Sequence, residues 1–284
     1  MITTEDYIGI EPAWCPGCGN FSILKAFQRA MADMQIDPCR VLMVSGIGQA
    51  GKFPHYAGGN VFNSLHGRTL PVAIGAKTVN PELTVIAVGG DGDGYAEGGN
   101  HFMHAIRRNH DITYMVHDNQ VYGLTKGQAS PTSDFGFITK TSPHGADPSF
   151  NPIAVAIAGG AGFAARGFAG DIEHLSDIIK KGIQHRGFAF IDILQPCVSF
   201  NHVNTFAWYK NRVYRLEETG YDSSNRIAAF EKAQEWEEQI PIGLIYQQQK
   251  EIFEDRMPVL KDGPLVRRAL DPMKVSELLD EFVY

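Results

Sequence analysis

The chain has 284 residues, 44% hydrophobic and 20% charged, enough to bury one large core or two unequal ones and too well balanced for a disordered or fibrous protein. Its 25 Lys and Arg against 32 Asp and Glu give a formal charge of -7 with no basic cluster, so no nucleic acid is expected as a partner. The most apolar run, 152–165, is broken by Gly159, Gly160 and Gly162 and is shorter than the roughly 20 residues that span a bilayer; with no basic-then-apolar secretory start, the sequence reads as cytoplasmic, with no membrane partner.

The first feature in chain order is the knuckle Trp14-Cys15-Pro16-Gly17-Cys18-Gly19, whose thiolates can meet one metal or cluster. Spacing alone leaves a structural zinc open. A thioredoxin-like redox pair is less attractive, because no helix clearly begins inside the motif. Apolar periodicity predicts a helix over 21–34, with Ile23, Leu24, Phe27, Ala30 and Met34 on one face. Short apolar strands are predicted at 41–45, 84–88, 112–117 and 189–194, the pattern of strands covered on both faces. Cys39 stands at the amino end of the first strand, where five residues at ~3.3 Å each put it roughly 17 Å from the carboxyl edge. It reads as a buried structural thiol. Cys197 follows the last of these strands and so belongs at the carboxyl edge.

A helix is predicted over 95–109, and the polar stretch 123–151 is long enough to be a functional loop or lid. Beyond Cys197 come a charged helix at 226–238, a short strand at 242–246 and a tail containing Pro258, Pro264 and Pro272. The expected architecture is α/β, a mainly parallel sheet with helices on both faces, carried by residues 1–200, with 201–284 as an extension that packs on the core or a partner.

The strand at 84–88 runs into Gly89-Gly90-Asp91-Gly92-Asp93-Gly94, a flexible turn with two carboxylates at a carboxyl edge, where open α/β sheets bind ligands. Glycines let backbone N–H groups approach phosphate oxygens. A second strand ends in Asp118-Asn119, with 26 residues between Gly92 and Asn119. A hard divalent ion bridging two phosphates takes oxygen ligands, here the Asp91 carboxylate, the Asn119 amide and the Val121 carbonyl. That spacing matches the thiamine diphosphate motif, with Mg2+ as the ion and Gly90, Asp91, Gly92 and Asn119 on the diphosphate. Asp93 is explained about as well by a solvated turn as by a phosphate or metal contact.

With both motifs in view, the chain resembles the beta subunit of 2-oxoacid:ferredoxin oxidoreductases over most of its length. The cysteine knuckle, Ser45-Gly46-Ile47-Gly48, Leu65-His66-Gly67-Arg68, Gly90 to Asp93, the segment His104 to Asn109, and Tyr122-Gly123-Leu124-Thr125-Lys126-Gly127-Gln128 carry the resemblance. It implies a thiamine-diphosphate-binding fold that converts a 2-oxoacid and coenzyme A reversibly to an acyl-coenzyme A and carbon dioxide. It also implies electrons passing singly through a [4Fe-4S] cluster to ferredoxin. By the same resemblance Gly46, Ile47, Gly48, His66, Gly123 and Leu124 border the cofactor, with His66 as the catalytic donor, and Cys15, Cys18 and Cys197 ligate the cluster.

In many members a fourth cysteine directly follows Ser-Gly-Ile-Gly; here that position is Gln49. Lys52, Thr125 and Lys126 are candidate substrate contacts, and cations there favour a second carboxylate, as in 2-oxoglutarate. The family takes the glutamate that activates the cofactor's pyrimidine from an alpha subunit, and this chain has strands for only one sheet. The polypeptide alone is therefore expected to be inactive. The alternative is a non-oxidative thiamine diphosphate decarboxylase or synthase subunit with a structural zinc.

Overall fold

The computed structural model describes residues 1–269 and 272–283. In chain order its elements are α1 (Gly19–Asp33), β1 (Val41–Ser45), α2 (Phe53–Ala57), β2 (Asn60–Asn63), α3 (Thr69–Val79), β3 (Thr84–Gly90), a wide π-type turn (Gly92–Glu97), α4 (Gly99–Arg108) and β4 (Thr113–Asp118). A small hairpin comes next, β5 (Val121–Tyr122) and β6 (Gln128–Ala129), then α5 (Pro152–Gly159), β7 (Phe163–Phe168), α6 (Ile172–Gln184), β8 (Ala189–Leu194) and α7 (Phe206–Lys210). The chain continues through β9 (Val213–Arg215), α8 (Arg226–Ala233), β10 (Ile240–Gln247) and α9 (Pro272–Asp280).

Eight strands form one sheet in the order β2-β1-β3-β4-β8-β7-β10-β9, and every pairing is parallel except β7 with β10. The period-2 alternation of each strand sorts its side chains between two cores. Val41, Met43, Ile86, Val88, Met115 and Ile191 pack under α1, α2 and α6, against Ile23, Phe27, Phe53, Leu175 and Ile178. Val44, Val85, Ala87, Tyr114, Val116 and Phe190 face the other way, against α3, α4, α5 and α8, where Phe102 stacks 4.8 Å from Phe190. Truncating a fully buried ring such as Phe102 removes about 3–5 kcal/mol. The expected fold class, a mainly parallel sheet with helices on both faces, is therefore the fold. Among the described residues no helix is long and apolar enough to cross a membrane.

The structure departs from the sequence reading at several places. The 95–109 helix is split, because Gly98 N donates to the Asp93 carbonyl to close the wide turn before α4 begins. Glycine is required at that joint, since a Cβ would lie 2.8 Å from the Asp93 carbonyl oxygen. Helix α1 starts at Gly19 with Cys18 as its N-cap, so a helix does begin within the cysteine motif. Cys39 is exposed, on a short turn at the amino end of β1, and is not the buried thiol expected. The apolar run from 152 hides two elements, α5 and β7, joined at Gly160, whose φ of 86° ends the helix. Residues beyond 201 contribute β9 and β10 to the same sheet and α8 to its face.

Candidate cofactor and cysteine sites

The carboxyl ends of β1, β3, β4 and β8 lie side by side, and the turns that leave these strands build two adjoining clefts. The first cleft is lined by Ile47 and Gly48 after β1, by Gly90, Asp91, Gly92 and Asp93 after β3, and by Asn119, Val121, Gly123, Leu124 and Thr125 after β4, with His66 over one side. Gly48 has φ 127°, and a Cβ there would meet nothing within 4 Å, so its backbone faces open space. Gly92 packs so closely under Tyr122 that a Cβ would come within 2.3 Å of the ring.

Asp91 is buried, and its Oδ2 accepts from the Ser130 and Thr132 hydroxyls, the latter at 2.8 Å. Burial pushes its carboxyl up to about 6, although those hydroxyls and the Gly92 amide oppose the rise. A buried carboxylate with no cation beside it is the electrostatic condition that a divalent ion relieves. Asn119 Oδ1 accepts from Val121 N at 3.1 Å and keeps a second lone pair. Its Nδ2 donates to Gln195 Oε1 at 3.0 Å, which fixes the amide orientation. Gln120, next in line, adopts the left-handed φ of 59° and turns the chain back so that Val121 follows Asn119 around the same corner. These donors suit Mg2+, with Asp91, Asn119 and the Val121 carbonyl as oxygen ligands and the glycine turn as the diphosphate cradle.

Asp93 plays a different part from its neighbour. Its Oδ1 accepts from Ile47 N at 3.0 Å and from Gly67 N at 2.8 Å, and its Oδ2 accepts from Thr69 Oγ1 at 3.2 Å. The carboxylate thus staples the turn 46–48 to the turn that carries His66. Gly46 is glycine for the same reason, since a Cβ would fall 2.0 Å from the Asp93 carboxylate. His66 Nδ1 lies 3.2 Å from Glu97 Oε2, and its ring stacks on Tyr122 with centroids 6.4 Å apart. Burial, then Glu97, push the Tyr122 hydroxyl well above its ordinary range.

Of the candidate substrate residues, Thr125 lines the cofactor cleft. Lys126 lies on an adjoining groove with Thr139, Lys140, Phe200 and His202 and holds a left-handed φ of 79°, a backbone cost of order 1–3 kcal/mol. Lys52 is the N-cap residue of α2, on the short turn that begins with Ala50, itself a wall of the cofactor cleft.

The second cleft brings together Cys15, Cys18 and Cys197 with Trp14, Asn20, Gln49, Asn119, Gly123 and Gln195. The knuckle is closed by Cys18 N donating to the Cys15 carbonyl, and Gly19 N reaches the Pro196 carbonyl, which holds the two cysteine segments against each other. Burial and then the neighbouring Cys197 and Cys15 push the Cys18 thiol up to about 11. Metal coordination reverses that shift. Among the described residues no group of three His, Cys, Asp or Glu side chains is placed to hold a single metal ion. Cys15, Cys18 and Cys197 line this one cleft together.

Two side chains in this cleft have buried atoms without partners, Asn20 Nδ2 and Gln49 Oε1. Gln195, which sequence reasoning missed, donates from Nε2 to Cys18 Sγ at 3.4 Å while its oxygen holds Asn119. The signal available was its position directly after β8 and two residues before Cys197. Gln49, Asn119 and Gly123 line both clefts and form the wall between them.

Comparison with known proteins agrees with this geometry. The family described as thiamine pyrophosphate enzyme, C-terminal TPP binding domain, matches residues 46–193, and the C-terminal family of the pyruvate ferredoxin oxidoreductase beta subunit matches 197–262. The 2-oxoacid:ferredoxin oxidoreductase subunit beta of Saccharolobus solfataricus is 46% identical over 271 residues, 88% of each chain. The 2-oxoglutarate oxidoreductase subunit KorB of Mycobacterium tuberculosis is 41% identical over 192 residues, 67% of this chain and 52% of that protein. Among solved structures, 2-oxoglutarate:ferredoxin oxidoreductase from Magnetococcus marinus, with 2-oxoglutarate, coenzyme A and succinyl-CoA bound, superposes with a TM-score of 0.90 at 35% identity, over 97% of this chain and 95% of that one.

Proposed function

The chain belongs to the beta-subunit family of the 2-oxoacid:ferredoxin oxidoreductases, and on that basis we propose that it is the subunit that binds thiamine diphosphate with Mg2+ and a [4Fe-4S] cluster for the reversible oxidative decarboxylation of 2-oxoglutarate. The observation that supports this reading is the pair of clefts sharing Gln49, Asn119 and Gly123, one lined by Gly90, Asp91 and Gly92, the other by three cysteines.

When bound, thiamine diphosphate supplies the carbon nucleophile and electron sink for decarboxylation, and the protein orients it. Asp91, Asn119 and the Val121 carbonyl hold the ion; Gly90 and Gly92 admit the diphosphate; Ile47, Gly48, Gly123 and Leu124 enclose the rest. Asp93 acts by locking the two turns that bear Ile47 and His66. His66 stands at the open side of the cleft, oriented by Glu97, where its ring N–H can donate to the carbonyl or carboxylate of a bound 2-oxoacid.

Thr125, Lys126 and Lys52 are proposed contacts for the substrate's distal carboxylate. Two similar proteins, KorB and the Magnetococcus enzyme, are named for 2-oxoglutarate, which favours it over a monocarboxylate. Cys15, Cys18 and Cys197 hold the cluster that passes electrons to ferredoxin. The pyrimidine-binding glutamate that completes the cofactor site comes from an alpha subunit, and coenzyme A takes the acyl group. Residues 1–200 carry both cofactors, and the segment after 201 completes the sheet with β9 and β10 and covers it with α8.

The test is made on the chain co-expressed with its partner subunit and purified anaerobically. Mg2+-dependent binding of thiamine diphosphate, stoichiometric iron and sulfide, and reduction of ferredoxin that needs both coenzyme A and 2-oxoglutarate are expected. Stoichiometric zinc without iron would instead make it a non-oxidative thiamine enzyme.

A further inference from the structure

We propose that Gln49 supplies the fourth ligand of the cluster through its side-chain oxygen, so that one iron is held by a replaceable amide while Cys15, Cys18 and Cys197 hold the other three. This rests on the reading of those cysteines as cluster ligands.

The cleft is one thiolate short of a full set. The chain has four cysteines, and the fourth, Cys39, is exposed on a turn at the amino end of β1, with its backbone N–H bonded to Asp37 and its carbonyl to Asn60. The cluster cleft is at the carboxyl end of that strand, so this chain offers no fourth thiolate.

Four side-chain amides line or border the cleft, and three have their oxygens committed. Asn20 Oδ1 pairs with His117 Nδ1 at 2.8 Å, Asn119 Oδ1 accepts from Val121 N at 3.1 Å, and Gln195 Oε1 accepts from Asn119 Nδ2 at 3.0 Å. Gln49 Oε1 is buried with no donor. Its backbone is fixed, because its carbonyl accepts from Trp14 Nε1 at 2.8 Å, next to the cysteine knuckle. A buried carbonyl oxygen with no donor, in a cleft that also holds three thiols, is free to ligate a cation. The other unpartnered atom of the cleft, Asn20 Nδ2, is a donor and suits a cluster sulfide.

The chemistry follows from ligand type. A neutral, hard amide oxygen binds iron more weakly than a thiolate, and it leaves the cluster one negative charge short of an all-cysteine set. The fourth iron is therefore exchangeable, and the cluster is easier to reduce than its four-cysteine counterpart. On mild oxidation, [4Fe-4S]2+ gives one electron to ferricyanide and releases Fe2+, leaving [3Fe-4S]+ on the three cysteines.

The experiment uses the assembled enzyme under anaerobic conditions. Iron and sulfide are counted first; absence of iron sinks the cluster reading itself, separately from any role for Gln49. With iron present, the wild-type enzyme is treated with ferricyanide, and with cyanide as an added iron ligand, and followed by electron paramagnetic resonance. Conversion to the three-iron signal and a cyanide-dependent change in the reduced spectrum are expected. Gln49→Cys should block both and move the midpoint potential lower, whereas Gln49→Ala should yield the three-iron form as purified. A four-iron wild type that resists ferricyanide and ignores cyanide, or a Gln49→Ala enzyme with the wild-type spectrum and potential, would overturn the assignment without touching the three cysteines.

Discussion

Gln195→Leu tests whether one buried amide couples the two clefts. The side chain is 1% exposed and makes three hydrogen bonds, to Asn119 Nδ2 at 3.0 Å, Cys18 Sγ at 3.4 Å and the Pro196 carbonyl at 2.9 Å. Leucine keeps the volume and removes all three. The Pro196 carbonyl keeps the Gly19 N–H, so the main cost is the unpaired Asn119 N–H, about 1 kcal/mol of stability. The N–H donated to sulfur stabilises the more negative, reduced cluster. A differential of about 1 kcal/mol corresponds, for a one-electron couple, to a midpoint about 40 mV more negative in the variant. Asn119 loses the partner that orients it toward the ion, which weakens Mg2+-dependent thiamine diphosphate binding by roughly tenfold. Gln195→Glu separates the two effects, because a carboxylate still accepts from Asn119 but no longer donates to sulfur. Its cofactor affinity should stay near wild type while its potential falls. Spectroelectrochemical titration of the cluster and calorimetric titration of the cofactor read the two ends of the amide. If both quantities in Gln195→Leu match those of wild type, the coupling does not exist.

Arg166 is 2% exposed, with Nε 3.7 Å from Asp192 Oδ2 and its guanidinium 5.5 Å from the centre of the Trp236 ring. Arg166→Met should lower stability to denaturant by about 3 kcal/mol, with partial recovery when Asp192→Asn is added; a loss below ~1 kcal/mol would contradict the pairing. Burial raises Glu217, but the His174 hydrogen bond, its own backbone amide and Lys181 outweigh it and bring the carboxyl to about 2. A folded-state value depressed from the ordinary 4.5 means stability present above pH 4.5 and lost as pH falls toward 2. Glu217→Gln should therefore flatten the acid arm of the stability curve in that window; acid denaturation curves that superpose would reject this. Lys126→Ala should cut kcat/KM for 2-oxoglutarate by roughly tenfold or more, the size of one lost charge-assisted contact, and spare 2-oxobutyrate. Equal losses on both substrates would remove Lys126 from the carboxylate site.

Much of this molecule was legible because its strands are short, apolar and buried on both faces. β1, Val-Leu-Met-Val-Ser, and β8, Ala-Phe-Ile-Asp-Ile-Leu, fall where their largely apolar runs placed them. β2 is exposed along its length and reads Asn-Val-Phe-Asn, so nothing in its composition separated it from a loop. β7 was concealed in the run that begins at Pro152, because helix and strand are equally apolar there and only the glycine joint divides them. The 26-residue spacing to Asn119 pointed to residues that the fold brings to one cleft, since motifs at strand ends carry their own geometry. Gln195 and Asp93 were harder to read: what they do depends on partners distant in sequence, Cys18 and Asn119 for one, Ile47 and Gly67 for the other. The same dependence on three dimensions explains Cys39, whose neighbours along the chain suggested a core that the turn at 38–40 does not enter.

The wall of Gln49, Asn119 and Gly123 has an implication for engineering. On the proposed occupancy, three residues common to both clefts leave the two redox partners no separate territories, so neither can be transplanted or retuned as a module. A swap that brought in a new cluster loop would carry one face of the cofactor chamber with it, and a change made for substrate scope would be heard at the cluster. The smallest portable unit is the whole carboxyl rim of the sheet.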